Sequence, residues 1–130
     1  MLQPNAAPRK RRRATPQGKP RDRSGPPYPE VPAGWTIGPP DFIGIGVQKA
    51  GTTWWWTLLK AHPDMVGTVK ETHQLTRLGW RPMFEEDVLS YHRYFPRRAG
   101  SLTGEWTPRY MTMPGVVDNI RFCHWPTPER

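Results

Sequence analysis

The segment that most constrains this chain runs from residue 42 to residue 60. Phe42-Ile43-Gly44-Ile45-Gly46 is a short apolar run with β-branched and aromatic members, the pattern of a buried strand. Val47 to Gly51 is a tight loop bounded by glycine, and Thr52-Thr53-Trp54-Trp55-Trp56-Thr57-Leu58-Leu59-Lys60 reads as a helix that His62-Pro63 ends. Strand, glycine loop and helix in that order open a parallel α/β sheet. Three adjacent tryptophans cannot share one side of a helix, so this helix is expected to pack on more than one face.

The loop itself carries chemistry. Gly46-Val47-Gln48-Lys49-Ala50-Gly51-Thr52-Thr53 leads from a strand into a helix start, where unsatisfied backbone N–H groups and the positive end of the dipole favour an anion. Glycine lets the backbone approach a ligand, and the threonine hydroxyls add donors. The spacing is close to the nucleotide-triphosphate loop G-x-x-x-x-G-K-[ST], but Thr52 stands where the lysine belongs and the lysine has moved back to position 49. The cation therefore projects from the loop rather than from the helix. The loop is read as gripping a phosphate-like group in a different way from an ATPase.

Further along, Met65-Val66-Gly67-Thr68 is a short strand or an extended connection. Residues 84–95 read as a helix, with Glu85, Glu86 and Asp87 at its N-terminus and Val88, Leu89, Tyr91 and Phe95 on an apolar stripe that Pro96 ends. Ser101 to Trp106 is read as a second strand, and Pro108 opens a turn or helix. Ahead of all this the composition changes. Residues 1–30 hold eight Lys/Arg against Asp22 and Glu30, a net +6 out of the chain's +8, and ten of the seventeen prolines lie at or before Pro40. With few apolar side chains to offset the entropy of ordering, residues 1–40 are expected to be a disordered basic tail, leaving 41–130 to fold. A single cysteine, Cys123, excludes an internal disulfide framework, fits a reducing compartment and contributes to no metal-ligand cluster, so no metal is expected. There is no apolar run of about 18 residues and no apolar core after Arg9–Arg13, so neither a membrane span nor a signal peptide is read; the expected location is cytoplasmic.

Three pieces in order then resemble a known family. Residues 42–53 look like the 5′-phosphosulfate-binding segment of sulfotransferases that use 3′-phosphoadenosine 5′-phosphosulfate (PAPS). Lys70-Glu71-Thr72-His73 is similar to the lysine-glutamate-x-histidine segment of the heparan sulfate type of carbohydrate sulfotransferase, and Gly104-Glu105-Trp106-Thr107-Pro108-Arg109-Tyr110 to that group's glutamate-x-threonine-proline-x-tyrosine segment. The resemblance implies a P-loop-like α/β domain, a parallel sheet with flanking helices, that moves a sulfuryl group from PAPS to a hydroxyl or amine of a carbohydrate or other small molecule. It implies that Gln48, Lys49, Ala50, Gly51, Thr52 and Thr53 hold the donor. Lys49 would face the leaving phosphate oxygen, and Glu71 would act as general base on the acceptor. Lys70 and His73 would stand beside Glu71 toward the substrate. Glu105 is a second carboxylate that either binds acceptor or caps the turn at Thr107-Pro108.

The sequence also departs from the family. Trp106 stands where heparan sulfate enzymes often carry lysine, and residues 121–130 do not supply the arginine and serine that bind the 3′-phosphate. The reading is therefore an incomplete N-terminal part of such a domain, possessing no certain activity of its own. Two other classes compete. The basic tail would make the chain a salt-sensitive polyanion or nucleic-acid binder, although it lacks aromatic interleaving beyond Tyr28 and any recognisable nucleic-acid fold. A P-loop nucleotide kinase is the other, against which the displaced lysine speaks.

Overall fold

A computed structural model describes residues 25–123 apart from Thr68 and Trp80; the basic run of the expected tail lies outside the described residues. The chain is a mixed α/β fold with small sheets. Strands β1 (Thr36–Ile37) and β2 (Phe42–Gly44) precede helix α1 (Thr52–Lys60). Helices α2 (Gln74–Arg77) and α3 (Glu85–His92) follow, then β3 (Pro96–Arg97), β4 (Gly104–Trp106), a 3₁₀ helix (Pro108–Thr112) and α4 (Val116–Cys123). β1 pairs antiparallel with β3. β2 pairs parallel with β4, in the register Phe42 to Gly104, Ile43 to Glu105 and Gly44 to Trp106.

β4 also bonds along its other edge. Val66 donates to the Leu102 carbonyl at 2.9 Å and Glu71 to the Trp106 carbonyl at 3.2 Å, while Leu102 donates to the Asp64 carbonyl at 2.8 Å. The chain around Met65 thus runs alongside the approach to β4, with a single parallel bridge from Met65 to Leu102, and Glu71 meets the end of β4 through one hydrogen bond. Pro108 sits at the start of the 3₁₀ helix, where its missing N–H is no loss. The core is aromatic: Leu75, Met83, Tyr91, Tyr94, Phe95, Tyr110, Val116 and Cys123 are buried together, with Ile43, Val69, Leu78, Val88, Met113 and Ile120 packed around them.

Three expectations need amending. Residues 25–40 were assigned to the tail, yet they lie against the fold. The Tyr28 ring is 4.6 Å from that of Tyr94 and its hydroxyl is 2.6 Å from Ser90 Oγ. Arg93 stacks 4.0 Å over the same ring. One aromatic anchor holding a proline-stiffened segment offsets an ordering entropy that prolines had already reduced. Secondly, α1 buries only Thr52 and Trp56, leaving Trp54 60% and Trp55 50% exposed among the described residues. A single packed face suffices because the three indoles fan around the helix. Thirdly, α3 ends at His92, short of the expected 95, and Leu89 is 56% exposed while Val88 and Tyr91 face the core, where Phe95 joins them from beyond the helix end.

The start of α3 shows why those acids are there. Asp87 accepts the Phe84 backbone N–H at 2.9 Å and takes both arms of Arg81, at 2.8 and 2.9 Å. The Arg81 hydrogen bonds, with the Phe84 N–H, hold the Asp87 carboxyl below its ordinary value. Its stabilising contribution is then complete above the unfolded value of about 3.9 and is lost as pH falls through the lower folded value. Asp87→Ala is expected to cost about 1 kcal/mol at neutral pH, a loss that shrinks in acid. Urea midpoints of variant and parent, followed down in pH, check both the size and the sign.

Candidate functional site

One cleft of about 400 Å³ is lined by Gln48, Lys49, Gly51, Thr52, Thr53, Lys70, Glu71, His73, Pro108 and Arg109. Its floor is the turn from β2 to α1. Gly51 is the N-cap residue of α1 in the left-handed conformation, φ 70, with open space where a side chain would stand. The N–H groups of Gln48, Lys49, Gly51, Thr52 and Thr53 have no acceptor among the described residues, whereas Trp54 and Trp55 already bond the Gly51 carbonyl at 2.9 and 3.2 Å. Unsatisfied donors at a helix start, with no acid in the first turn, suit an anion. Lys49 rises from this turn, exposed and with no ion pair to a described residue.

Trp106, read as a departure from the family, braces the turn. Its indole lies across Gly44, where any side chain would overlap the ring, and its Nε1–H donates to the Gly46 carbonyl at 3.0 Å. Met111 N–H adds a bond to the Ile45 carbonyl at 2.7 Å. The end of β2 is therefore tied to β4 and the 3₁₀ helix just before the turn into α1 begins.

The opposite wall is the segment 70–73. Lys70 Nζ donates to Thr53 Oγ1 at 2.7 Å, spanning the cleft. The same Nζ is 3.5 Å from Glu71 Oε1, and His73 Nε2 is 3.6 Å from Glu71 Oε2, so the carboxylate is flanked on both oxygens. Among the described residues three non-glycine positions have positive φ: Lys49 at 65, Glu71 at 59 and His73 at 53. All three line the cleft. Left-handed backbone costs an L-residue roughly 1–2 kcal/mol, and such strain collects at working sites.

The strain can be measured. Glu71→Gly and Glu71→Val both delete the carboxylate, but only glycine relieves the φ of 59. The glycine variant is expected to be about 1–2 kcal/mol the more stable of the two in urea denaturation. Equal midpoints would mean that the left-handed turn is absent in solution.

Of the residues singled out in the sequence, Gln48, Lys49, Gly51, Thr52, Thr53, Lys70, Glu71 and His73 meet in this cleft; Ala50 is exposed outside its lining. Glu105 is a correction: it is fully buried, so it has no surface with which to contact an acceptor. Its Oε2 accepts Thr72 Oγ1 and Thr107 Oγ1, each at 2.7 Å, and the Thr72 N–H at 3.3 Å. Its Oε1 accepts Tyr91 at 2.5 Å and Tyr110 at 2.8 Å. Burial first, and the Glu105 charge second, push both tyrosine hydroxyls above their ordinary value, so both stay protonated as donors. Arg109 was not singled out, although it belongs to the same motif-bearing stretch that ends in Tyr110; its place on the rim follows from the 3₁₀ turn after Pro108. No helix among the described residues is long and apolar enough to cross a membrane. No protein-family model, no functionally characterised protein and no solved structure matches this chain.

Proposed function

We propose that this cleft takes the 5′-phosphosulfate end of PAPS and that the chain carries the donor half of a sulfotransferase site on a P-loop-like parallel α/β scaffold. The observation that carries the reading is the meeting of two motifs in one cleft. Five amides with no acceptor among the described residues and Lys49 stand on one side, and a carboxylate flanked by Lys70 and His73 on the other.

The chemistry assigns each group a task. The bond from sulfur to the bridging phosphate oxygen breaks while a new bond forms from sulfur to the acceptor oxygen or nitrogen. The acceptor's proton passes to Glu71, within reach of the cleft and held between two cationic or polar neighbours. The leaving phosphate gains negative charge, which Lys49 and the α1 amides stabilise more in the transition state than in the ground state. Lys70, bonded to Thr53, ties the base-bearing segment to the phosphate loop. The acceptor is a hydroxyl or amine compound, such as a carbohydrate.

The test uses the full 130-residue chain. Adenosine 3′,5′-bisphosphate, the product nucleotide, is titrated into ¹⁵N-labelled protein, and ³⁵S transfer from PAPS is assayed on mixed sugar and amine acceptors. Amide shifts concentrated at residues 48–53 are the expected result. Shifts there with Mg-ATP and none with the bisphosphate would replace this reading with a nucleotide kinase.

A further inference from the structure

A buried carboxylate is costly unless its lone pairs are filled, and Glu105 fills them with four side-chain donors from three stretches of the chain. Thr107 is its near neighbour, Tyr110 comes from the 3₁₀ helix, Tyr91 from α3, and Thr72 from the cleft wall. Thr72 is the telling partner. It is fully buried, lies between Glu71 and His73, and gives Glu105 both its hydroxyl and its backbone N–H. The residues on either side of it hold left-handed φ values and face the cleft. The far end of that alternation is held by α2, where the His73 carbonyl accepts the Arg77 N–H at 3.2 Å and the Arg77 side chain donates to the Thr72 carbonyl at 3.0 Å. Its near end is held from β4, by the Glu105 side chain on Thr72 and the Trp106 carbonyl on the Glu71 N–H, and among the described residues Glu105 alone reaches the Thr72 side chain and N–H together.

We propose that Glu105 is the positioning residue for the cleft wall, clamping Thr72 so that Glu71 and His73 are presented together to the acceptor. The importance of Glu71 rests on the functional reading above; the clamp itself does not. A carboxylate suits the task better than an amide. Glutamine keeps one acceptor oxygen and turns an NH₂ toward hydroxyls that are already donating, which strands donors that have no water to turn to. The phosphate loop has bonds of its own through Trp106, Gly46 and Met111, and its one side-chain link to the described cleft wall comes from Lys70, ahead of Thr72, so the loop is expected to stay in place when the clamp is loosened.

Glu105→Gln is compared with the parent chain by amide hydrogen exchange, by titration with adenosine 3′,5′-bisphosphate and by ³⁵S transfer. The expected result is exchange at Glu71 and Thr72 faster by about tenfold or more, nucleotide affinity within about twofold, and a fall in kcat at unchanged donor KM. Should Glu105→Gln fail to fold, Thr72→Val removes the hydroxyl donor alone, and Thr72→Ser restores it; loosening by valine and rescue by serine carry the same weight. Unchanged exchange at residues 71 and 72 in the folded variants overturns the clamp. So does loss of nucleotide affinity in step with turnover, which would make Glu105 a support of the whole fold. If the parent chain neither binds the nucleotide nor transfers sulfate, the functional reading falls, while the exchange rates still decide the positioning role.

Discussion

Lys49→Ala is expected to lower ³⁵S transfer from PAPS by about 10²–10³ while leaving the fold intact. The size follows from where charge develops. A cation fixed beside the leaving phosphate acts most strongly as the bond to sulfur breaks, so its loss falls on kcat more than on binding. The harmlessness to the fold follows from the structure: Lys49 is exposed and makes no ion pair with a described residue, and alanine at φ 65 bears the same backbone cost as lysine. Lys60, in the last turn of α1 and outside the cleft, is the matched control; Lys60→Ala should change the rate little. Initial rates and thermal melts of both variants decide the matter. Full turnover by Lys49→Ala would remove the lysine from the mechanism.

What could be read from the sequence was what depends on neighbours. The strand at Phe42, the helix from Thr52 and the helix from Glu85 each announce themselves within a dozen residues, through an apolar run, a glycine-bounded loop or a cluster of acids before Pro96. The glycine-bounded turn from strand to helix was legible for the same reason, since a helix start is a local object. Contacts made far along the chain were not. Tyr28 meets Ser90, 62 positions away, so a proline-rich stretch that looks like tail is docked. Glu105 reads as an acceptor ligand or as a cap for the turn at Thr107-Pro108, and its burial escapes both readings because its Thr72 donor lies 33 positions earlier. Only Thr107 and Tyr110 stood close enough to hint that its carboxylate was surrounded by hydroxyls. The rim position of Arg109 likewise depends on a 3₁₀ turn rather than on spacing. Trp106 is a further case: its ring and N–H hold a loop 60 positions earlier, a contact that spacing does not reveal.

Phe95→Ala is expected to destabilise the chain by about 3–5 kcal/mol, which is a large share of the 5–15 kcal/mol that holds a typical domain together. Phe95 is fully buried, with its ring edge-on to Tyr91 at 4.9 Å and tilted against Tyr94 at 6.4 Å. Truncation leaves a cavity among rings that cannot bend to fill it, so little of the loss is recovered. The damage also travels. Tyr91 is held on one side by Phe95 and on the other by its bond to Glu105, so a void beside it lets the hydroxyl leave a carboxylate that has no water to replace it. Leu89→Ala is the contrast that gives the result meaning. Leu89 shares α3 with Tyr91 and looks equally apolar in the sequence, but it is 56% exposed, so its loss should stay within about 0.5 kcal/mol. Urea midpoints measure both. A loss at Leu89 as large as that at Phe95 would mean that α3 is rotated from the position described, and Tyr91 would then no longer point at Glu105.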